Sequence, residues 1–208
     1  MIILGLTGSI GMGKTTAAAT FKNLGVPVHD ADAAVHELMN PDGGAVSTVA
    51  AAFPDTEKDG GIDRKKLGAI VFHDPSALKK LEAILHPMVG RRKKSFLAAM
   101  ARRRKSVVVL DVPLLFETGG ESYCDGAVVV SAPPFIQAAR VLARPGMTRE
   151  TFERILAQQT PDAEKRRRAD FIVETGLGRY ESLRTIRKIL NTVDNWRARH
   201  WPPRACRR

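Results

Sequence analysis

The fold is decided by residues 8–15, which read Gly8-Ser9-Ile10-Gly11-Met12-Gly13-Lys14-Thr15. This stretch fits the phosphate-binding pattern G-x-x-x-x-G-K-[ST] at every fixed position. An apolar run at residues 2–6 predicts a parallel strand buried on both faces before the loop, and residues 15–21 predict a helix after it. Loop amides and the positive helix end would then converge on phosphate oxygens. The stretch therefore predicts a nucleoside triphosphate site, against the alternative of a glycine-rich turn that happens to precede a lysine.

The loop pattern also predicts which residues touch the ligand. We expect Lys14 to reach the β and γ phosphates of the nucleotide, and the Thr15 hydroxyl to ligate Mg²⁺, because that position needs an oxygen. The other nucleotide-binding residues expected in the loop are Gly8, Gly11, Met12, Gly13 and Thr16.

The size and composition of the chain suit a globular protein with a sizeable core. Its 208 residues allow one α/β domain with insertions. No apolar run is long enough to span a bilayer, and no basic and then apolar leader precedes the first strand, so we expect a soluble, unprocessed protein with no membrane partner. Cys124 and Cys206 lie far apart in sequence, which predicts neither a zinc site nor a disulfide framework and makes the cytoplasm the expected compartment.

The formal net charge of +11 favours polyanionic partners, either nucleic acid or phosphorylated small molecules. Its sources are clustered at residues 91–94, 102–105 and 166–168 and at Arg204, Arg207 and Arg208. The alternative is that these runs are solvated helix faces. No aromatic residues interleave with them, so we expect no specific nucleic-acid recognition.

The hydrophobic pattern predicts an α/β, three-layer fold around a five-stranded parallel sheet. Buried-strand signatures follow the first strand at residues 26–29, 107–111, 127–130 and 171–173. Residues 33–105 show mostly helical spacing, with breaks at 41–44 and 59–61. Later helices are expected at 135–142, 149–159 and 179–199.

These elements divide the chain into four expected parts. The nucleotide-binding core comprises residues 1–32, 106–139 and 169–200. Residues 33–105 form a helical insertion, residues 140–168 form a helical lid, and residues 201–208 form a flexible tail.

Six motifs then select among phosphate-loop proteins, and none of them is the N-K-x-D motif of guanine-specific GTPases. They are Leu6 to Thr15, Asp30-Ala31-Asp32 with His36, Leu85-His86-Pro87, Val112 to Glu117, Gln137 to Arg144, and Arg168 to Ile172 leading to Thr175-Gly176. In this order they resemble the dephospho-CoA kinase family over nearly the whole chain. Met12 and Thr15 stand where many members carry Ser, and Gln158 stands where Arg is common.

The resemblance implies a kinase that uses ATP and Mg²⁺ to phosphorylate the ribose 3′-hydroxyl of dephospho-CoA, the last step of coenzyme A synthesis. It implies that residues 33–105 bind the acceptor and that the protein is a monomer or weak homo-oligomer. Two rivals stay open: another phosphate-loop metabolite kinase, such as one acting on a nucleoside monophosphate, and a nucleic-acid-binding ATPase that uses the basic runs.

The resemblance assigns Asp32 to orient the acceptor hydroxyl and accept its proton, which suits a carboxylate just past the second strand. The alternative is a helix-capping Asp. For Asp30, capping and catalysis are both open. His36 lies one helical turn beyond Asp32, so it either touches the acceptor or covers the sheet edge.

A second carboxylate, Asp111, ends a hydrophobic strand. In phosphate-loop proteins a carboxylate in this place holds Mg²⁺ through water, and we expect the same of Asp111. Its alternative is to satisfy turn amides. The resemblance places Pro113, Leu114 and Glu117 beside the acceptor, together with His86, although a helix stop forced by the following proline explains the His86 motif as well.

Two arginines are expected to act on the transferred phosphoryl group. Arg140 and Arg144 are one helical turn apart, and guanidinium donors engage phosphate oxygens bidentately when a lid closes. Their alternative is surface salt bridges with Glu150 or Glu153. Arg154 and residues 166–168 are further candidates, and Gly176 is expected at the ATP site.

Overall fold

A computed structural model describes residues 1–202 of the chain. Its strands are β1 (Ile2–Thr7), β2 (Val28–Asp30), β3 (Glu57–Lys58), β4 (Gly61–Ile62), β5 (Val107–Asp111), β6 (Gly126–Ser131) and β7 (Phe171–Glu174). Its α-helices are α1 (Lys14–Asn23), α2 (Ala31–Met39), α3 (Val46–Ala52), α4 (Arg64–His73), α5 (Pro75–Arg102), α6 (Pro134–Leu142), α7 (Arg149–Ala157), α8 (Asp162–Arg168) and α9 (Arg179–Val193).

The predicted five-stranded parallel sheet is confirmed, with strand order β2-β5-β1-β6-β7. The central strand β1 places Ile2 opposite Val107 of β5 and Leu4 opposite Gly126 of β6. Every residue of β1, β5 and β6 is buried, as expected of parallel strands covered on both faces. On one face, Phe21 of α1 packs in a cluster with Ile186 and Ile189 of α9.

The chain forms two compact units. Within the described residues, the first comprises 1–29 and 100–202, and the second comprises 30–99. The core of the second unit is a separate apolar cluster that includes Leu38, Val49, Phe53, Leu67, Leu81 and Leu85. The second unit also contains the hairpin of β3 and β4, which sequence analysis interpreted only as a break. Asp59 and Gly60 turn this hairpin with φ angles of 51° and 76°, typical of an Asp-Gly turn.

One alternative and one expectation about helix ends are wrong. Pro87 does not stop a helix, because α5 runs through it from Pro75 to Arg102. A proline removes one helical hydrogen bond at a cost of about 3 kcal/mol, and buried Leu81 and Leu85 on the same helix offset that cost.

The closing helix ends at Val193 rather than near residue 199. The chain then turns back onto the sheet, where the Trp196 ring stacks on Phe171 at 5.4 Å. The Arg199 amide also donates to Asp125 Oδ1 at 2.6 Å. A continuing helix would carry both residues away from these partners.

Of the predicted flexible tail, residues 203–208 lie outside the described part of the chain, and with them Arg204, Cys206, Arg207 and Arg208. Within the described part, no helix combines the length and apolar character needed to cross a membrane.

Candidate active site

The phosphate loop leaves β1 at Gly8 and enters α1 at Lys14, and two of its glycines are required by their surroundings. A Cβ on Gly8 would lie 2.8 Å from the backbone oxygen of Val130. Gly13 has a φ of 91°, and a Cβ there would lie 3.1 Å from Thr175 Oγ1. Any larger residue would push the loop away from β6 or strain its backbone.

The start of α1 is suited to bind an anion. Its N-cap, Gly13, offers no side-chain hydrogen bond, and the first turn carries no acidic residue. The first amides of a helix have no acceptor within the helix, and the helix dipole adds positive potential there. The side chains of Thr15 and Thr16 are exposed at this end, and Lys14 is half-buried. This arrangement supports the predicted phosphate site.

Lys14 is held by the second predicted carboxylate. Its Nζ lies 2.5 Å from Asp111 Oδ1, and Asp111 is 3 % exposed. The register of the sheet sets Asp111 beside Leu6, two residues before the loop. The contact with Lys14 therefore sets the Asp111 carboxylate beside the phosphate loop, where the metal hypothesis requires it.

The oxygen donors at this site fit Mg²⁺. The Thr15 hydroxyl and the Asp111 carboxylate are hard ligands of the type that this ion prefers. Among residues 1–202, no group of three or more His, Cys, Asp or Glu side chains could hold a metal alone. Mg²⁺ usually keeps several waters and shares substrate phosphates, so it takes few ligands from the protein.

Carbonyl groups of the loop are bound by side chains from other elements. Gln137 Nε2 on α6 donates to the Ile10 oxygen at 2.8 Å. Thr175 Oγ1, after β7, donates to the Met12 oxygen at 2.7 Å. The Met12 side chain is buried, and its sulfur accepts from the Ala132 amide at 3.1 Å. The Met12 side chain is therefore engaged within the protein, and its amide donates to the Ser9 oxygen at 3.1 Å.

Three residues that hold the loop had no role assigned from sequence. They are Gln137, Thr175 and Gln159, whose Oε1 accepts from the Ile10 amide at 3.0 Å. Gln137 precedes Arg140 by three residues, so helical spacing could have pointed to a shared face. Nothing in the sequence around Gln159 signals its contact, because 149 residues separate it from Ile10.

Arg140 lies beside the loop. Its Nη1 donates to Thr175 Oγ1 at 2.9 Å and its Nη2 to the Thr175 oxygen at 2.8 Å. Arg144 does not share its helix, because α6 ends at Leu142, so the prediction that the two arginines lie one turn apart on one helix is wrong. Pro145 explains this difference, since the residue before a proline disfavours helical geometry.

The salt-bridge alternative for these arginines finds no support. Over residues 1–202, no ion pair joins Arg140 or Arg144 to Glu150 or Glu153.

Two of the further lid cations are engaged elsewhere. Arg166 Nη1 lies 2.5 Å from Glu174 Oε1. Arg168 pairs with Glu121 and lies over the ring of Phe116 at 4.5 Å. These contacts bind α8 to the sheet and to the segment after β5.

Glu117 contacts the end of the expected lid. Its Oε1 accepts from the Thr160 amide at 2.7 Å and lies 2.9 Å from Nζ of Lys165, whose side chain is fully buried. Burial raises the pKa of Glu117, but the hydrogen bonds from Lys165 and Thr160 outweigh burial and hold the pKa below its usual value.

Three further residues expected at the site, Pro113, Leu114 and Gly176, belong to the first unit. The Pro113 oxygen accepts from Thr7 Oγ1 at 2.8 Å, and Leu114 is 41 % exposed. Gly176 packs against Pro133, because a Cβ on it would lie 2.7 Å from Pro133 Cδ.

The second unit carries the remaining expected site residues. Asp30 is the N-cap of α2, and its Oδ1 accepts from the Ala33 amide at 2.9 Å. The alternative that Asp32 caps this helix is therefore wrong. Asp32 and His36 are exposed on α2, and His86 is exposed on α5.

Comparison with known proteins gives one consistent result. A family model described as dephospho-CoA kinase matches residues 2–178. A dephospho-CoA kinase of Paramagnetospirillum magneticum is 63 % identical, over 80 % of this chain and 78 % of its own. One from Rhodospirillum rubrum is 55 % identical, over 96 % and 95 %. A crystal structure from Thermus thermophilus superposes with a TM-score of 0.79 at 36 % identity, covering 92 % of this chain and 96 % of that one.

Proposed function

Because the chain belongs to the dephospho-CoA kinase family, we propose that it transfers the γ-phosphoryl group of ATP to the ribose 3′-hydroxyl of dephospho-CoA. The products are coenzyme A and ADP, so the reaction is the last step of coenzyme A synthesis. The observation that carries this function is the family match over residues 2–178.

The first unit supplies the phosphate-binding part of the reaction. The first amides of α1 and the Lys14 ammonium bind the β and γ phosphates, and donors of this kind stabilise the charge that develops during transfer. Asp111, at 2.5 Å from Lys14 Nζ, keeps the ammonium aimed at the loop.

Thr15 and Asp111 are the residues that would hold Mg²⁺, the threonine directly and the carboxylate through water. Bound there, the ion would neutralise charge on the β and γ phosphates. Support comes from the oxygen donors of both side chains and from the position of Asp111 beside the loop.

Asp32 is our candidate for the residue that orients the acceptor hydroxyl and accepts its proton. Its exposed side chain follows the end of β2, and Asp30 performs the capping role that would otherwise explain it. A carboxylate is the right group, because phosphoryl transfer asks the protein mainly for positioning and one proton acceptor. We assign His36, His86, Pro113 and Leu114 to acceptor binding on the family resemblance.

Arg140 is the arginine that we assign to the transferred group. Its contacts with Thr175 hold the guanidinium at the phosphate loop, where its charge can meet the phosphoryl oxygens.

We also propose that the enzyme is located in the cytoplasm and that it is a monomer or a weak homo-oligomer.

An acceptor panel tests the function. ATP and Mg²⁺ are supplied with dephospho-CoA, AMP, CMP, shikimate or gluconate in separate reactions, and the ADP formed is measured. We expect dephospho-CoA to have the highest kcat/KM. Equal or faster turnover of AMP or CMP would instead identify a nucleoside monophosphate kinase.

A further inference from the structure

Two glutamine side chains hold the same residue of the phosphate loop. Gln137 Nε2 donates to the Ile10 oxygen at 2.8 Å, and the Ile10 amide donates to Gln159 Oε1 at 3.0 Å. Gln137 belongs to α6, and Gln159 lies between α7 and α8. Both backbone polar groups of Ile10 are therefore fixed by carboxamides from two separate elements.

The bond from Gln137 sets the direction of a peptide group. A carbonyl oxygen carries partial negative charge and would repel a phosphate that it faced. Gln137 Nε2 binds the Ile10 oxygen toward α6, and Thr175 Oγ1 binds the Met12 oxygen toward the end of β7. In a trans peptide the N–H points opposite to the C=O, so with these two carbonyls turned outward the amides of Gly11 and Gly13 point the other way and can face an anion.

The residues that follow Gln159 are held in place by contacts with Glu117 and Ser131. The next residue along the chain, Thr160, donates its amide to Glu117 at 2.7 Å, and Glu117 pairs with fully buried Lys165 at 2.9 Å. The start of α8 is bound as well, because Ser131 Oγ donates to Asp162 Oδ2 at 2.7 Å. A contact from Gln159 therefore ties the loop to a fixed point.

We propose that Gln137 and Gln159 are positioning residues for phosphoryl transfer, which fix Ile10 so that the phosphate loop keeps its reactive geometry. The inference rests on the proposed kinase function. Misplacement of reacting groups by about 1 Å costs on the order of 100-fold in rate, so loss of either contact should lower kcat. Lys14 and the first amides of α1 are unchanged in such variants, so the KM for ATP should change much less.

The test uses methionine, which approximates the length of glutamine without its polar groups. Gln159→Met and Gln137→Met are compared with the wild type and with Gln158→Met, a matched control at the adjacent exposed position. Turnover is measured with the best acceptor of the panel, so that an error in the acceptor assignment does not affect the result. Failure of the wild type to phosphorylate dephospho-CoA would count against the proposed function alone.

We expect Gln159→Met to lower kcat by about 10-fold to 100-fold with a change in the KM for ATP below about threefold. Gln158→Met should match the wild type. Since both glutamines hold one residue, the double variant should lose less than the product of the two single losses.

Melting temperatures separate positioning from simple anchoring. Gln137 is buried and its variant can lose stability, whereas half-buried Gln159 allows a substitution that stays folded. A folded Gln159→Met enzyme with kcat within about threefold of the wild type would overturn the inference, as would a fall in melting temperature at unchanged kcat.

Discussion

At the scale of single residues, Arg140 is the side chain whose surroundings say most about catalysis. It makes two bonds to Thr175, and the Thr175 hydroxyl in turn donates to the Met12 oxygen of the phosphate loop. One threonine thus orients both the arginine and the loop. The guanidinium therefore lies beside the phosphate loop without any motion of α7.

We predict that Arg140→Ala lowers kcat more than it weakens ATP binding, because an arginine that meets the transferring group acts mainly in the transition state. The expected loss in kcat is on the order of 10². Steady-state kinetics and equilibrium binding of a nonhydrolysable ATP analogue measure the two effects. Arg187→Ala, exposed on α9, is the control. A large loss of affinity at unchanged kcat would make Arg140 a ground-state anchor.

The two aspartates at the start of α2 should separate into different roles. Asp30→Ala removes the cap bond to the Ala33 amide and should lower the free energy of unfolding by about 1 kcal/mol. Asp32→Asn removes a proton acceptor that makes no cap, so kcat should fall by roughly 10² to 10⁴ with stability nearly unchanged. Melting curves and kcat for both variants decide this, and full turnover by Asp32→Asn would end its catalytic assignment.

Sequence could not tell these two aspartates apart, because both fit the start of a helix. The choice depends on backbone angles: Asp30 is extended at φ −92° and ψ 112°, and Asp32 is already helical. Helical spacing also paired Arg140 with Arg144. The helix α6 nevertheless ends at Leu142, before Arg144, because Pro145 disfavours helical geometry in the residue before it. Local sequence patterns therefore select the right group of candidate residues. They assign a residue to the wrong position in a helix where one neighbouring residue changes the backbone conformation.

At the scale of elements, the base of the expected lid is the best-anchored part of that segment. Here the lid base means residues 159–168. Lys165 and the Thr160 amide, both in the lid base, contact Glu117, and Arg166 of the base pairs with Glu174. If the lid moves, we expect the motion in residues 144–158 rather than in this base.

The buried pair predicts a pH dependence of stability. The folded protein holds the pKa of Glu117 below its ordinary value of 4.5. The pair therefore stabilises the fold fully above that value, and this contribution is lost as the pH falls through the lower folded-state pKa. Melting temperature measured from neutral to acidic pH should show this loss in the wild type and not in Glu117→Gln.

At neutral pH, Glu117→Gln should itself cost about 3 kcal/mol, because it leaves the buried ammonium of Lys165 without a charge partner. The double variant Glu117→Gln, Lys165→Met should recover part of that loss, since apolar replacement of a buried pair is often nearly neutral. Glu153→Gln, exposed on α7, is the matched control. Parallel pH curves for the wild type and Glu117→Gln would contradict the role of the pair.

Most elements were predictable, because they depend on local periodicity and on breaks made by Gly and Pro. All five strands of the sheet and the helices before and after residues 144–148 were found in this way. The hairpin of β3 and β4 was missed because two-residue strands carry no periodicity. The contacts of the lid base were also missed, since they join residues far apart in sequence.

At the scale of the whole molecule, the chain combines a phosphate-binding unit with a second unit of helices and a short hairpin. The fold class followed from the phosphate loop and its flanking strand and helix. The strand order β2-β5-β1-β6-β7 did not, because order is set by packing between distant segments. The acceptor-binding role of the second unit rests on family resemblance and stays a prediction.

Some of the basic residues behind the net charge of +11 form ion pairs within the protein. Arg166 and Arg168 pair with glutamates, and Arg92 pairs with Glu37 at 2.9 Å. These three arginines therefore serve contacts within the protein.

The most direct measurement follows the γ-phosphoryl group itself. With γ-labelled ATP, Mg²⁺ and dephospho-CoA, the label should appear in coenzyme A at the ribose 3′-phosphate. Lys14→Ala should lower kcat/KM by about 10³, whereas Lys22→Ala, exposed at the far end of the same helix, should match the wild type. Label that stays in ATP, or that leaves only as inorganic phosphate, would contradict a dephospho-CoA kinase.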